Sequence, residues 1–164
     1  MILGDIILNN AAVFPAKEDV VDDIRRISFG QLAERAKRLA NALAARGARR
    51  GDRVAIVAQN CHEYIEVFGA CEMAGYVAAP MNFRLTVPEL QYLLTDCRPV
   101  AVVFDYAYTT NVKAVRGLLE GTKAFICIDG ACDATEDYES VLASANPTSF
   151  TPGFPAWIGN GVGN

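Results

Sequence analysis

The stretch GDRVAIVAQN at residues 51–60, the apolar segment that follows it to Gly75, and YVAAPMNFRLTVP at residues 76–88 decide the fold. The run from Val54 to Ala58 is continuously apolar, which predicts a strand that is covered on both faces. Residues 61–75 predict a helix that ends at a glycine, and residues 76–79 predict a second buried strand. A strand, a crossover helix and a second strand form a βαβ unit, so the stretch predicts two parallel neighbours in one sheet.

The segments on either side continue this alternation of strands and helices. Residues 28–31 (SFGQ) match a capping box that opens a long helix, and residues 86–89 (TVPE) match a second one. Asn60 and Glu63 are expected to cap the helix after the first long strand. Further predicted elements are a short helix at residues 2–14, a small hairpin at 20–27, buried strands at 100–104 and 124–128, and a last helix at about 136–144. The predicted fold class is α/β, with a parallel β-sheet flanked by helices.

Composition and charge limit the class of protein. The chain has 164 residues, of which 52% are apolar and 21% charged, as expected of one globular domain. The net charge of −4 offers no basic surface for nucleic acid. No apolar run approaches the roughly 18 residues of a membrane helix, and MILGD at the start lacks the basic region of a signal peptide. We therefore expect no transmembrane segment, a cytoplasmic protein, and a domain over residues 1–145 followed by a Pro/Gly-rich loop or tail over 146–164.

The cysteines and the histidine do not form a recognisable site. The five cysteines are odd in number and show no C-x-x-C spacing, which is typical of reduced thiols in an apolar core. His62 is the single histidine and has no cluster of ligands at metal-binding spacing, so a packed or solvated imidazole is the simpler interpretation. We expect no metal site.

Two polar residues follow predicted strands, where α/β sheets bind ligands. Asp105 has the position of a phospho-accepting aspartate in a receiver domain, although a solvated carboxylate in a loop is the favoured interpretation. Arg84 offers a planar guanidinium suited to phosphate, and the alternative is a structural ion pair with Glu89. No Gly-rich dinucleotide loop follows the first long strand, and no phosphate-binding P-loop is present in the sequence.

A series of motifs, in order and with matching spacing, resembles the N-terminal portion of the AMP-forming adenylate enzymes. The motifs are ISFGQL at residues 27–32, LANAL at 39–43, GDRVAI at 51–56, CEMAGYVAAP at 71–80 and NFRL at 82–85. The last of these is similar to the form found in fatty-acyl and aryl-CoA ligases. The resemblance runs from about residue 1 to about residue 144 and implies part of the N-terminal domain of an adenylate-forming enzyme.

The resemblance implies a function and a set of ligands. Enzymes of this family activate a small-molecule carboxylate with ATP and Mg to an acyl-adenylate and then transfer the acyl group to CoA. An arginine at the position of Arg84 can contact the CoA phosphates in similar ligases, so Arg84 is the one candidate binding residue carried over. The resemblance gives no catalytic residue within this chain.

The chain departs from the family in the loop that handles ATP, T-S-G-T-T-G-x-P-K-G. Here residues 148–157 read TSFTPGFPAW, so that Phe150, Pro152 and Ala156 replace a glycine, a threonine and the lysine. Bulky side chains and a proline oppose close approach of the backbone to phosphate. We therefore expect a truncated N-terminal fragment of an acyl-CoA ligase that is inactive alone, binds none of these cofactors tightly and self-associates through an exposed truncated face.

Two other functions remain open. The first is a non-catalytic binding or interaction module that retains the subdomain fold. The second, which the sequence favours less, is a separate flavodoxin-like or receiver-like domain.

Overall fold

A computed structural model describes residues 3–21, 25–132 and 134–149. These residues form six α-helices and seven strands. In chain order they are α1 (Leu3–Val13), β1 (Glu18–Val21), β2 (Arg26–Ser28), α2 (Phe29–Ala45), β3 (Arg53–Val57), α3 (His62–Ala74), β4 (Val77–Pro80), α4 (Val87–Cys97), β5 (Ala101–Asp105), α5 (Thr109–Arg116), β6 (Ala124–Ile128), β7 (Glu136–Asp137) and α6 (Tyr138–Ala143). Short 3₁₀ turns cover Tyr106–Tyr108 and Pro147–Ser149.

The longer strands form one parallel sheet of five strands, in the order β4-β3-β5-β6-β7. Ala55 of β3 pairs with Ala79 of β4 on one side and with Val102 of β5 on the other. The predicted fold class, a parallel α/β sheet flanked by helices, is confirmed. β1 and β2 pair antiparallel as the predicted hairpin, whose connecting residues 22–24 lie outside the described residues.

Helices cover both faces of this sheet. Val54 and Ile56 of β3 belong to an apolar cluster shared with α1, α2, α3 and α6, whereas Ala55 and Val57 belong to a second cluster shared with α4 and α5. All four side chains are buried. This arrangement explains why β3 reads as a continuous apolar run, because successive side chains point to opposite faces and both faces are covered.

Both predicted capping boxes form. The amide of Ser28 donates to Gln31 Oε1 at 2.9 Å, and the amide of Gln31 donates to Ser28 Oγ at 3.3 Å. At the start of α4 the Glu89 carboxylate accepts from the amide of Thr86 at 2.8 Å and from its hydroxyl at 2.7 Å. Pro88 lies in the first turn of α4, where a missing amide does no harm.

Three local predictions were wrong. Asn60 does not cap α3, because the helix begins at His62 and its N-cap is Cys61, which makes no side-chain capping bond. β4 is an edge strand rather than a strand buried on both faces, since it pairs only with β3 among the described strands and Val77 is 48% exposed. The predicted last helix starts later, at Tyr138, because Glu136 and Asp137 form the short polar strand β7.

None of the helices in the described part of the chain has the length and apolar character needed to cross a bilayer.

Candidate functional site at the carboxyl edge of the sheet

The strand order places a topological switch point between β3 and β5. From β3 the chain moves to β4 on one side, and it then returns past β3 to β5, β6 and β7 on the other. Ligands of open α/β sheets bind outside the carboxyl ends of the strands at such a point. We call the loops and helix starts that follow the five parallel strands the carboxyl edge; they comprise residues 58–62, 81–86, 106–109, 129–132 and 138–139.

Asp105 ends β5 at the switch point. Its carboxylate accepts the amide of Ala107 at 2.8 Å and caps the short 3₁₀ turn, so it is a structural cap rather than a freely solvated loop carboxylate. Burial raises the pKa of the Cys61 thiol to about 12 and that of the Cys127 thiol to about 12, and the negative charge of Asp105 adds to both shifts. The charge of Asp105 therefore favours the protonated form of both thiols.

Arg84 lies in the loop after β4, as predicted, and is exposed. Its amide donates to Asn82 Oδ1 at 3.0 Å, and its guanidinium carbon is 5.3 Å from the centre of the Phe83 ring. The Phe83 ring in turn contacts Tyr108, with ring centres 6.2 Å apart, so this loop joins the one after β5. Glu89 serves the α4 capping box, and no ion pair between Arg84 and a described carboxylate is present.

A partly buried ion network, Arg35–Glu66–Tyr138–Glu139, joins α2, α3 and α6. The Glu66 side chain is 0% exposed and accepts from Arg35 Nε at 2.6 Å and from the Tyr138 hydroxyl at 2.8 Å. Arg35 also donates to both carboxylate oxygens of Glu139, at 2.9 and 2.7 Å. Each charged group therefore meets an opposite charge, which is what a buried charge requires.

The electrostatics of the network follow from these bonds. Burial disfavours the charged form of Arg35, but the hydrogen bonds to Glu139 and Glu66 outweigh this and raise the pKa of the guanidinium. The bonds from Arg35 lower the pKa of Glu139, whereas burial raises the pKa of Glu66 despite its two donors. No local sequence pattern marks this network, because Glu66 lies 31 residues from Arg35, and Glu139 lies 104 residues from Arg35. The available signal was Glu66 itself, a charged residue in a helix rich in apolar residues.

His62 and Glu63 lie beside this network at the start of α3. The imidazole is 5% exposed, and its Nε2 is 2.9 Å from Glu63 Oε1, so the predicted packed imidazole is observed. Together with Glu139, these residues offer three potential ligand atoms within 4.8 Å of one another. Glu139, however, already accepts from Arg35 and from Arg25, and two guanidiniums oppose a cation there. Mg²⁺ also prefers an all-oxygen ligand set, so this group does not fit magnesium.

Comparison with known proteins assigns the family. The family model for AMP-binding enzymes matches residues 7–156, so the chain belongs to that family, as its motifs predicted. The strand order alone is shared with flavodoxin-like folds. Family membership therefore replaces the flavodoxin-like or receiver-like interpretation.

Particular relatives agree with this assignment. A feruloyl-CoA synthase of an Amycolatopsis species is 36% identical over 113 residues, which are 69% of this chain and 23% of the relative. The crystal structure of a protein assigned as a long-chain-fatty-acid CoA ligase of Rhodopseudomonas palustris superposes with a TM-score of 0.86 and 34% identity, over 95% of this chain and 39% of that one. The N-terminal domain of FACL13 from Mycobacterium tuberculosis gives a TM-score of 0.78 and 26% identity, over 89% of this chain and 36% of that one. The chain spans about a quarter of the length of the curated relatives it matches.

Proposed function

We propose that this chain is the N-terminal part of an AMP-forming acyl-CoA ligase. The observation that carries the proposal is the family match over residues 7–156, supported by relatives described as CoA ligases and synthases. In the proposed reaction a carboxylate oxygen attacks the α-phosphorus of ATP and pyrophosphate leaves. The CoA thiol then attacks the acyl carbon and AMP leaves. The proposed compartment is the cytoplasm, whose reducing conditions suit five free cysteines.

Within that reaction, this chain supplies scaffold and substrate contacts rather than the chemical step. We assign no catalytic residue to it, and no described group fits magnesium. The proposal is that the chain by itself neither turns over nor holds ATP, Mg or CoA tightly. Residues 150–156, in which this chain departs from the phosphate loop of the family, lie outside the described residues.

The test combines the isolated chain with a chimera. The 164-residue chain is incubated with ATP, Mg²⁺, CoA and ferulate or palmitate, and we expect no release of pyrophosphate. In the chimera, residues 7–145 replace the matching segment of the Rhodopseudomonas palustris ligase, which keeps its own phosphate loop, and we expect turnover. The same ligase with that segment deleted is the inactive control. Turnover by the isolated chain, or a folded chimera without turnover, would contradict the proposal.

Arg84 is proposed to contact the phosphates of CoA. Its guanidinium is exposed at the carboxyl edge, and stacking on Phe83 restricts its direction. In the chimera, Arg84→Ala is expected to raise the KM for CoA about tenfold, the effect of losing one charge-assisted hydrogen bond, while ATP–pyrophosphate exchange is unchanged. The matched control is Arg116→Ala. Arg116 also stacks on a ring, with its guanidinium carbon 4.7 Å from the centre of Phe125, but it lies at the last residue of α5, away from the carboxyl edge where Arg84 lies. An unchanged KM in Arg84→Ala would refute the contact.

The alternative is a non-catalytic binding or interaction module. Saturable binding of CoA to the isolated chain, without turnover, would favour that function. In either case we propose self-association through the edge of β4 that no described strand covers, because this edge offers backbone donors and acceptors and the exposed Val77 offers apolar surface.

A further inference from the structure

Helices α1 and α2 leave a groove between them, with a volume of about 690 Å³. This volume lies within the range of about 300–1,000 Å³ that is typical of ligand pockets, so the groove can hold more than one aromatic side chain. Most of its lining is apolar and several lining residues are small, so no long side chain fills the space. The α1–α2 groove is formed chiefly by Leu8, Ala11, Gly30, Ala33, Pro147 and Thr148.

The chain is fixed to α2 where it reaches this groove. Arg38 Nη1 donates to the carbonyl of Ala145 at 2.7 Å, and Asn41 Nδ2 donates to the carbonyl of Asn146 at 2.5 Å. Asn146 Oδ1 in turn accepts from the amide of Thr148 at 2.9 Å and from its hydroxyl at 2.7 Å. Because Thr148 lines the groove, the segment that follows begins at the groove itself.

The composition of that segment matches the groove. Residues 150–158 read FTPGFPAWI and carry no charge, and the groove is balanced as well, since Glu34 and Lys37 on its lining have opposite signs. Phe150 and Pro152 stand where the loop of the family has a glycine and a threonine, so these departures make the segment more apolar. Its large apolar side chains are Phe150, Phe154, Trp157 and Ile158.

Two physical effects favour association of this segment with the groove. Apolar side chains and an apolar lining gain free energy when both leave water. The short tether holds the segment at an effective concentration in the millimolar range, so weak contacts suffice. Pro152 and Pro155 also lower the conformational entropy that is lost when the segment is held in one arrangement.

We propose that residues 150–158 dock in the α1–α2 groove of their own chain. The groove shares no residue with the carboxyl edge, so the docked segment is held against the helices α1 and α2 and away from the ends of the strands where ligands of α/β sheets bind. This inference does not rest on the proposed ligase activity, and its test uses no substrate.

The sequence provides a reporter for the test, because Trp157 is the single tryptophan of the chain. The experiment records the emission maximum of the 164-residue chain and its quenching by acrylamide, with a synthetic peptide of residues 150–164 as the reference for an indole in water. We expect emission at a shorter wavelength than in the peptide. We also expect quenching to be about threefold weaker, as it is when about two thirds of the molecules are docked at any time.

A pair of variants on neighbouring positions of α1 assigns the effect to the groove. Ala11→Glu places a charge in the groove, whereas Ala12→Glu makes the same change at an exposed residue that does not line it. We expect Ala11→Glu to give the emission and quenching of the peptide, and Ala12→Glu to behave like the parent. Circular dichroism checks that both fold. Phe150→Ser/Phe154→Ser changes the segment and leaves the groove intact, and we expect it to release Trp157 as well.

Three outcomes would overturn the proposal. One is a parent chain whose emission and quenching equal those of the peptide. Another is a shielded Trp157 that neither Ala11→Glu nor Phe150→Ser/Phe154→Ser releases, because the segment would then be held elsewhere. The third is shielding that is lost on dilution, which would place the segment in the groove of a second copy rather than in its own.

Discussion

At the scale of single residues, the most consequential side chain is one that the sequence did not single out. Glu66 lies on α3 among apolar neighbours and is 0% exposed, yet it is held by Arg35 on one side and Tyr138 on the other. A buried carboxylate is tolerated only when such donors replace water. The Glu66 carboxylate on α3 therefore accepts hydrogen bonds from both α2 and α6, and in this way it holds three helices together.

Removing this acceptor is expected to destabilise the fold. Glu66→Ala leaves Arg35 and Tyr138 without their buried partner, and we expect a loss of about 3 kcal/mol in the free energy of unfolding. Glu66→Gln keeps an acceptor and is expected to lose less. Urea unfolding measures both, and Glu34→Ala, which removes an exposed partner of Arg38 one helical turn away, is the control at about 0.5 kcal/mol or less. Equal losses in Glu66→Ala and Glu34→Ala would contradict the role of the network.

At the scale of elements, local chemistry predicted those helix starts whose caps lie within the same few residues. The Ser28 and Thr86 capping boxes formed as expected, because each needs only a side chain three positions away. The start of α3 was mispredicted, since the chain leaves β3 through Gln59 and Asn60 and the helix begins only at His62. The two-residue strand β7 carries no periodicity of its own, and its pairing with β6 alone defines it.

The exposed edge of β4 leads to a prediction about association. One side of this strand, which pairs with no other strand in the described part of the chain, offers backbone donors and acceptors beside the 48% exposed Val77. We therefore expect concentration-dependent self-association of the isolated chain. Light scattering over a concentration series measures it. Val77→Lys is expected to shift the equilibrium towards monomer, because a charge on an edge opposes strand pairing. Val13→Lys, on the 65% exposed end of α1, is the control that leaves it unchanged. A parent chain that stays monomeric at high concentration would refute this prediction.

At the scale of the whole molecule, ion pairs connect α2 to the last part of the described chain. Arg35 binds Glu139 of α6, and Arg46 at the end of α2 binds Glu136 of β7. These pairs lower the pKa of both glutamates below the ordinary value of 4.5, in each case chiefly through the hydrogen bonds from arginine. The attachment of the β7–α6 segment is therefore sensitive to acid.

The sign of the pH dependence follows from these shifts. A carboxyl group whose pKa is lower in the folded state stabilises that state above its unfolded pKa, and this contribution is lost as the pH falls through the lowered value. We expect the free energy of unfolding to decrease below about pH 4.5, and less steeply in Glu136→Gln/Glu139→Gln. Glu66, whose pKa is raised, acts in the opposite direction but at higher pH, because its contribution changes as the pH falls from the raised value towards 4.5.

Urea titrations between pH 7 and pH 3 check this expectation. Glu18→Gln, which removes an exposed partner of Arg26, is the control that keeps the full decrease. A double variant with the same pH profile as the parent would show that the two arginine pairs do not contribute.

The sequence by itself determined the fold class, the family and most of the helix and strand positions. It did so because continuous apolar runs, capping boxes and terminal glycines act within a few residues of one another, and the family's motifs follow this order. Tertiary structure alone decided which strands are edges and which distant charges meet. It also decided that the switch point of the strand order lies between β3 and β5, beside Asp105. Arg35 and Glu139, like Arg46 and Glu136, are brought together by the packing of separate elements, and no local pattern encodes those contacts.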